Sequence, residues 1–85
     1  MYSIEIKQSA AREIEVVPLR ERRQIVARIG RLADEPRPRG CEKLAGGERY
    51  RVRQGDYRIV YSIEDALLVV WVVKVGHRRD VYRGM

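Results

Sequence analysis

Residues 50–61 read YRVRQGDYRIVY, and this stretch decides the fold class. Apolar and polar residues alternate on both sides of Gln54-Gly55-Asp56. Alternation with a period of two is typical of a half-buried strand, and a short glycine-containing link between two such runs favours a tight hairpin. The stretch therefore predicts two antiparallel strands joined by a short turn.

Five further segments surround this hairpin. They are a strand at Tyr2–Ile6, helices at Ala10–Val17 and Leu19–Ala33, an almost continuously apolar strand at Leu67–Val75, and a last short strand at Val81–Tyr82. The long apolar run indicates that the strand at Leu67–Val75 is buried on both faces. The apolar spacing i, i+4, i+7 in the first helix indicates one buried stripe. The order β-α-α-β-β-β predicts an α+β fold in which two N-terminal helices pack on one face of a small antiparallel sheet. We expect a single domain over residues 1–85. The sheet face that the helices leave uncovered is then free to act as a functional surface.

Composition narrows the function classes. The chain has a net charge of +6, and its 45% apolar content is too high for a disordered protein. A compact basic domain often binds phosphate, although a merely soluble basic surface is the alternative. Cys41 stands alone, and no Cys or His residues have metal-ligand spacing, so we expect no disulfide, metal or cofactor. The longest apolar run is far shorter than the roughly 20 residues that span a bilayer, so a cytoplasmic protein without membrane contact is the default expectation.

Three arginines follow one face of the first hairpin strand. Residues 49, 51 and 53 point to the same side, so Arg49, Arg51 and Arg53 crowd like charge together. Charges of the same sign repel when they are neighbours on a sheet, and an anionic ligand would offset that repulsion. A nucleic-acid backbone fits this requirement. The alternative is a row of solvated strand arginines.

The strand ends bring further groups towards these arginines. Arg58 lies just across the hairpin, and Arg78 and Arg79 follow the buried strand at the end that lies near Arg58. Tyr82 comes next; nearby positive charge favours a phenolate, so this side chain is a candidate general base rather than only a packing residue. His77 is the only histidine. It is either a polar turn residue or a group for proton transfer or base stacking.

These parts suit one reaction class, the cleavage of RNA by its own 2′-hydroxyl. That reaction needs a base for the 2′ proton and cations for the charge that develops on the phosphorus oxygens. Guanidinium groups bind phosphate in a bidentate way, and preorganised charge is often the largest catalytic contribution. The sequence therefore favours a metal-independent ribonuclease.

The hairpin run at residues 50–61 and the closing run VGHRRDVYR at residues 75–83 together resemble RelE-type toxins of the RelE/ParE superfamily. The resemblance covers nearly the whole chain. It implies a small α/β sandwich and a toxin of a type II toxin–antitoxin system. It further implies entry into the ribosomal A site and cleavage of messenger RNA, which leaves a 2′,3′-cyclic phosphate. A cognate antitoxin holds such toxins inactive, and operator DNA is bound only by the toxin–antitoxin complex.

The resemblance also implies roles for individual residues. Arg58 matches the arginine that grips the scissile phosphate, Arg78 the second catalytic arginine, and Tyr82 the proposed base. Arg51 and Arg53 match two basic strand residues that bind the messenger, where a well-known member has lysines. By position we add three residues to the expected RNA contacts: Arg49, His77 and Arg79.

Two other functions compete with the nuclease. ParE-type toxins share the fold but poison DNA gyrase; they often end in a similar run, yet generally lack the terminal tyrosine and the dense arginine set. Tyr82 therefore favours the nuclease. The third hypothesis is a basic RNA-binding module without catalysis, which predicts salt-sensitive RNA affinity but no cleavage.

Overall fold

The computed structural model describes residues 1–83 and contains two helices and five strands within that range. The elements are β1 (Ser3–Ile6), α1 (Gln8–Glu15), α2 (Leu19–Arg31), β2 (Glu42–Lys43), β3 (Arg49–Gln54), β4 (Tyr57–Glu64) and β5 (Val69–His77), with a 3₁₀ turn at Asp65–Leu67. Neither helix is long and apolar enough to cross a membrane. The predicted domain extends to residue 85, and its last two positions lie outside the described residues.

The five strands form one sheet in the order β1-β5-β4-β3-β2. The hairpin is confirmed: Gln54 pairs with Tyr57, and Gly55 opens the turn between them with a φ of +59°. That positive φ is the reason the turn favours glycine. The predicted α+β class with two helices is confirmed, but the sheet is mixed rather than antiparallel throughout. β1 pairs in parallel with β5, because the chain passes through both helices and re-enters the sheet at its opposite edge.

The core lies between the helices and one face of the sheet. It consists of buried side chains from both layers: Ala10, Ile14, Val17, Ile25, Ile29, Leu32, Val52, Ile59, Tyr61, Val70, Val72 and Val75. The stripe predicted for the first helix is among them. Full burial of one aliphatic side chain is worth about 1.5–3 kcal/mol, so this layer supplies the main driving force for folding.

Two expectations for the C-terminal third differ from the structure. The strand expected to be buried on both faces is buried only on the helix side, and Trp71 and Val73 are half-buried on the other. The short strand expected at Val81–Tyr82 is wrong, because residues 78–83 form turns. The carbonyl oxygen of His77 accepts hydrogen bonds from the N–H groups of Asp80 and Val81 at 2.8 and 2.9 Å, which reverses the chain instead of extending it.

A compact ion-pair cluster joins four separate segments on the flank of the fold. Both terminal nitrogens of Arg37 donate to Asp65, at 3.2 and 2.9 Å, and the Tyr2 hydroxyl donates to the same carboxylate at 2.6 Å. Arg37 Nε also donates to the Tyr50 hydroxyl at 3.2 Å. The hydrogen bonds from Arg37 and then Tyr2 lower the pKa of Asp65 to about 2. We call these four residues the Arg37 cluster; it fixes the loop before β2 against β1, β3 and the 3₁₀ turn.

Candidate nucleic-acid interface

A groove of about 1120 Å³ lies on the sheet face opposite the helices. Its floor comes from β3 and β4, and its walls come from the turn after β5 and from the segment that joins β2 to β3. Its charged and aromatic lining consists of Glu42, Glu48, Arg49, Arg51, Arg53, Arg58, Arg78, Arg79 and Tyr82. We call it the arginine groove. Six arginines face two glutamates there, so the groove attracts a polyanion.

Arg53 and Arg58 lie directly opposite each other on β3 and β4. Arg58 is oriented by its own hairpin, because Nη1 donates to the carbonyl oxygens of Gly55 at 3.0 Å and Tyr57 at 2.9 Å. Burial, followed by the positive charges of Arg53 and Arg51, lowers the pKa of Arg58 from its usual value. Arginine nevertheless stays charged at neutral pH. The fold thus holds like charges together at a cost that a bound phosphate would offset.

Arg51 is placed differently from its neighbours on β3. Its side chain is only 7% exposed and forms an ion pair with Glu42, the first residue of the edge strand β2. Its Nε is buried and has no hydrogen-bond partner among residues 1–83. Arg51 therefore lines the groove as a largely buried, paired guanidinium, since Glu42 already occupies one end of it.

The turn after β5 brings Arg78 and Tyr82 over the groove. The backbone N–H of Arg78 donates to the carbonyl oxygen of Asp56 at 2.8 Å, which joins this turn to the β3–β4 hairpin. Val81 is 1% exposed and anchors the turn against Gly76, where an added Cβ would lie 3.3 Å from the Val81 Cα. Because no side chain stands at Gly76, the turn closes tightly. Tyr82 stays 44% exposed at the groove.

Residues 4–82 match the family described as the ParE toxin of the type II toxin–antitoxin system parDE. The toxin RelG of Mycobacterium tuberculosis is 33% identical over 86 residues, which cover 96% of this chain and 97% of that protein. The chain belongs to the RelE/ParE family. It is therefore a toxin of a type II toxin–antitoxin system.

Solved structures of RelE toxins have the same fold as this toxin. The toxin in the RelBE2 complex of M. tuberculosis superimposes with a TM-score of 0.82 at 29% identity, covering 91% of this chain and 98% of that one. The toxin of the intact E. coli RelBE complex gives 0.80 at 26% identity, covering 91% and 96%. The archaeal RelE–RelB complex of Pyrococcus horikoshii gives 0.82 at 28% identity, covering 94% and 98%.

The toxin fold brings together seven of the eight residues singled out from the sequence: Arg49, Arg51, Arg53, Arg58, Arg78, Arg79 and Tyr82. The eighth, His77, does not line the arginine groove. It pairs with Tyr57, whose ring packs against the core on the helix side, and the two rings meet edge to face at 5.7 Å. Its Nδ1 accepts a hydrogen bond from the N–H of Arg79 at 3.2 Å, so it supports the turn.

Three residues of the site were not found from the sequence. Glu42 forms an ion pair with Arg51. The backbone carbonyl oxygen of Asp56 accepts a hydrogen bond from the turn after β5. Gly76 leaves room for Val81 to pack against the strand. The glycine interrupts an apolar run, which is a recognisable pattern; the two acidic residues lie in loops or at a strand edge, where no periodicity identifies them. Among residues 1–83, no three His, Cys, Asp or Glu side chains cluster as metal ligands would.

Proposed function

We propose that this toxin is a ribosome-dependent endoribonuclease that cleaves messenger RNA in the A site. The observation that carries the proposal is the convergence of Arg58, Arg78 and Tyr82 on one groove of strong positive charge. They come from two parts of the fold: Arg58 from the β3–β4 hairpin, and Arg78 and Tyr82 from the turn after β5. Such a convergence of cations and one phenol on an open sheet face suits an extended RNA strand.

The chemistry assigns one task to each group. Tyr82 takes the proton of the 2′-hydroxyl, whose oxygen then attacks the adjacent phosphorus. Arg58 and Arg78 bind the non-bridging phosphate oxygens and stabilise the charge that develops on them. The bond to the 5′ oxygen breaks, and that oxygen takes a proton from solvent. The products are a 2′,3′-cyclic phosphate and a free 5′-hydroxyl.

Arg51 and Arg53 extend the positive surface along β3, and Arg49 and Arg79 border it. In our proposal Arg53 binds the messenger directly. Arg51, which is buried and paired with Glu42, adds to the positive potential of the groove without contacting the RNA directly. Arginine gives up its proton very reluctantly, so neither acts as the acid.

A ribosomal substrate also implies the partners and the location. The M. tuberculosis, E. coli and P. horikoshii structures show the related toxins in complexes with their antitoxins. We expect a cognate antitoxin to bind this toxin and inhibit it, and operator DNA to be bound only by the complex of the two. Since the proposed substrate is messenger RNA on a translating ribosome, the site of action is the cytoplasm.

The proposal is tested by inducing the toxin in a bacterial host and mapping the 5′ ends of an abundant messenger by primer extension. We expect discrete cuts inside translated codons. These cuts should be absent with Arg58→Ala and retained with Arg23→Ala, an exposed arginine of α2 outside the groove. Intact messenger in arrested cells that express folded toxin would overturn the proposal.

A gyrase poison is the second candidate, because the family matched over residues 4–82 is described as ParE. It predicts growth arrest with broken DNA and uncut messenger, and purified toxin should then inhibit supercoiling by gyrase. A basic binding module predicts neither effect. The same induction experiment therefore separates the three functions.

A further inference from the structure

A second, shallower depression of about 320 Å³ lies on the same open sheet face, beside the arginine groove. It is lined by residues of β3, β4 and β5 and by the residue that follows β1: Lys7, Arg49, Ser62, Glu64, Trp71 and Val73. We call it the Trp71 shelf. Nothing in the proposed cleavage chemistry uses it.

The shelf adjoins the arginine groove, because Arg49 lines both. Strand pairing places Arg49, Ser62 and Trp71 in one row across β3, β4 and β5. Adjacent strands are about 4.8 Å apart, so Trp71 lies roughly 10 Å from Arg49 across the sheet. A strand of RNA that leaves the groove past Arg49 therefore meets Trp71 within a short distance.

The indole of Trp71 is held in place and offers an apolar surface. Its Nε1 donates to the Glu64 carboxylate at 2.7 Å, and the residue as a whole is half-buried. That hydrogen bond uses the only polar atom of the side chain, so a ligand meets the π surface of the ring. Aromatic rings on open sheet faces stack well on nucleobases, and this stacking tolerates any base.

Charge distinguishes the shelf from the groove. Lys7 and Arg49 are balanced in part by Glu64, whereas the groove holds six arginines against two glutamates. The shelf therefore suits the uncharged base of a nucleotide, while the two cations at its border suit the backbone that leads to it. Glu64 can also accept a hydrogen bond from an exocyclic amino group.

We propose that the Trp71 shelf is a stacking subsite for a base that flanks the cleaved step of the RNA. This inference rests on the proposed function, since it assigns a second nucleotide site to the same substrate. Stacking there fixes the strand on one side of the scissile phosphate. Arg58 and Arg78 then act on a strand held at two points instead of one.

The chain contains a single tryptophan, so fluorescence excited at a wavelength that tyrosine does not absorb reports on this shelf alone. The probe is a single-stranded RNA hexanucleotide that carries 2′-O-methyl groups. It can bind the toxin, but its methylated 2′ oxygens cannot attack the phosphate. At low salt we expect the hexanucleotide to quench Trp71 fluorescence and a dinucleotide, which fits within the groove, to leave it unchanged. Binding is followed in parallel by the anisotropy of a labelled hexanucleotide.

Variants then separate the subsite from the groove. Trp71→Leu should weaken hexanucleotide binding about tenfold, the scale of one stacked base, and leave dinucleotide binding unchanged. Trp71→Phe should restore most of the loss. Val26→Ala removes an exposed apolar side chain on α2 and should change neither ligand, and thermal melts check that each variant is folded.

Each other outcome is decisive. The wild-type toxin could bind the hexanucleotide without any change in Trp71 fluorescence, and Arg58→Ala could abolish that binding. In that case the subsite is wrong and the proposed function survives. Quenching by the hexanucleotide in a toxin that leaves messenger uncut overturns the nuclease and, with it, the assignment of the shelf to a base beside a cleaved step. If no RNA binds, or if an antitoxin peptide quenches Trp71 and RNA does not, the subsite is overturned.

Discussion

The Arg37 cluster and the arginine groove are both built from arginine and tyrosine, yet they are opposite in charge balance. In the Arg37 cluster one guanidinium faces one carboxylate, and Tyr2 and Tyr50 complete its hydrogen bonds. In the groove, arginines outnumber acids, and Arg53 faces Arg58 across the hairpin. Pairing raises the pKa of Arg37, whereas burial and crowding lower that of Arg58.

The difference separates charge that supports the fold from charge that awaits a ligand. A guanidinium whose donors are satisfied within the chain has little left to offer a phosphate. A guanidinium held among like charges gains when an anion arrives. We therefore expect substitutions in the groove to reduce activity and spare stability, and substitutions in the Arg37 cluster to do the reverse.

The largest expected effect is that of Tyr82→Phe. Removing the phenol should slow cleavage by messenger-programmed ribosomes about 100-fold or more, because a positioned general base contributes on the order of 10²–10⁴ in rate. Ribosome binding should stay within about twofold, and the melting temperature should be unchanged since Tyr82 is exposed. Single-turnover cleavage and pelleting with ribosomes measure the two quantities. Equal losses in both would make Tyr82 a positioning residue.

Gly76→Val should come next. Its side chain meets Val81, so the turn that carries Arg78 and Tyr82 must move, and overpacking costs about 1–3 kcal/mol of stability. Cleavage should fall roughly tenfold, because small displacements of catalytic groups are costly. Gly30→Ala is the control: nothing lies within 4 Å of its Cβ, and it should stabilise α2 by about 1 kcal/mol without changing cleavage. A tolerated Gly76→Val would show that the turn need not be tight.

Glu42→Gln should have a smaller effect of opposite sign. It removes a negative charge from the groove and releases Arg51 from its ion pair. RNA affinity at low salt should rise about threefold, the scale of one charge at a partly solvated site. Anisotropy titrations against increasing salt measure this gain. Unchanged affinity with lowered stability would instead place the Arg51–Glu42 pair with the Arg37 cluster, as part of the fold.

The smallest effect is that of Asp65→Asn, and it depends on pH. The pKa of Asp65 is about 2 in the fold and 3.8 without its partners, so its contribution to stability is present above about pH 4 and is lost as the pH falls towards 2. The wild type should melt above the variant at neutral pH, and the gap should close over that window. Cleavage should be unchanged. A gap that persists at pH 2 would contradict the charge-based explanation.

The local elements could be predicted because their periodicity is a property of neighbouring residues. The hairpin at Gln54–Tyr57, the two helices and the clustering of Arg53 and Arg58 all follow from short-range spacing. The parallel pairing of β1 with β5 could not be predicted in that way, because it joins the two ends of the chain. The α+β class was predictable, whereas the mixed character of the sheet was not.

Within the site, the sheet face to which a strand residue points could be predicted, but the burial of its side chain could not. Alternation places Arg51 on the groove face, but its burial depends on Glu42, which arrives from a two-residue edge strand that has no pattern of its own. His77 was misplaced for a related reason. A register shift opposite Val60 and Tyr61 resets the alternation of β5, and His77 ends on the helix side with Tyr57.

The pairing of β1 with β5 also has a consequence for synthesis. Ser3 needs Val69 as its partner, and Arg78 and Tyr82 come later still, so the sheet and the groove form only after residues 69–82 have been made. Contacts between distant segments slow folding, on the order of milliseconds to seconds rather than microseconds. The groove therefore exists only after the last strand has been made and has paired with the first, and this order of events gives a partner protein time to meet the chain before the groove is complete.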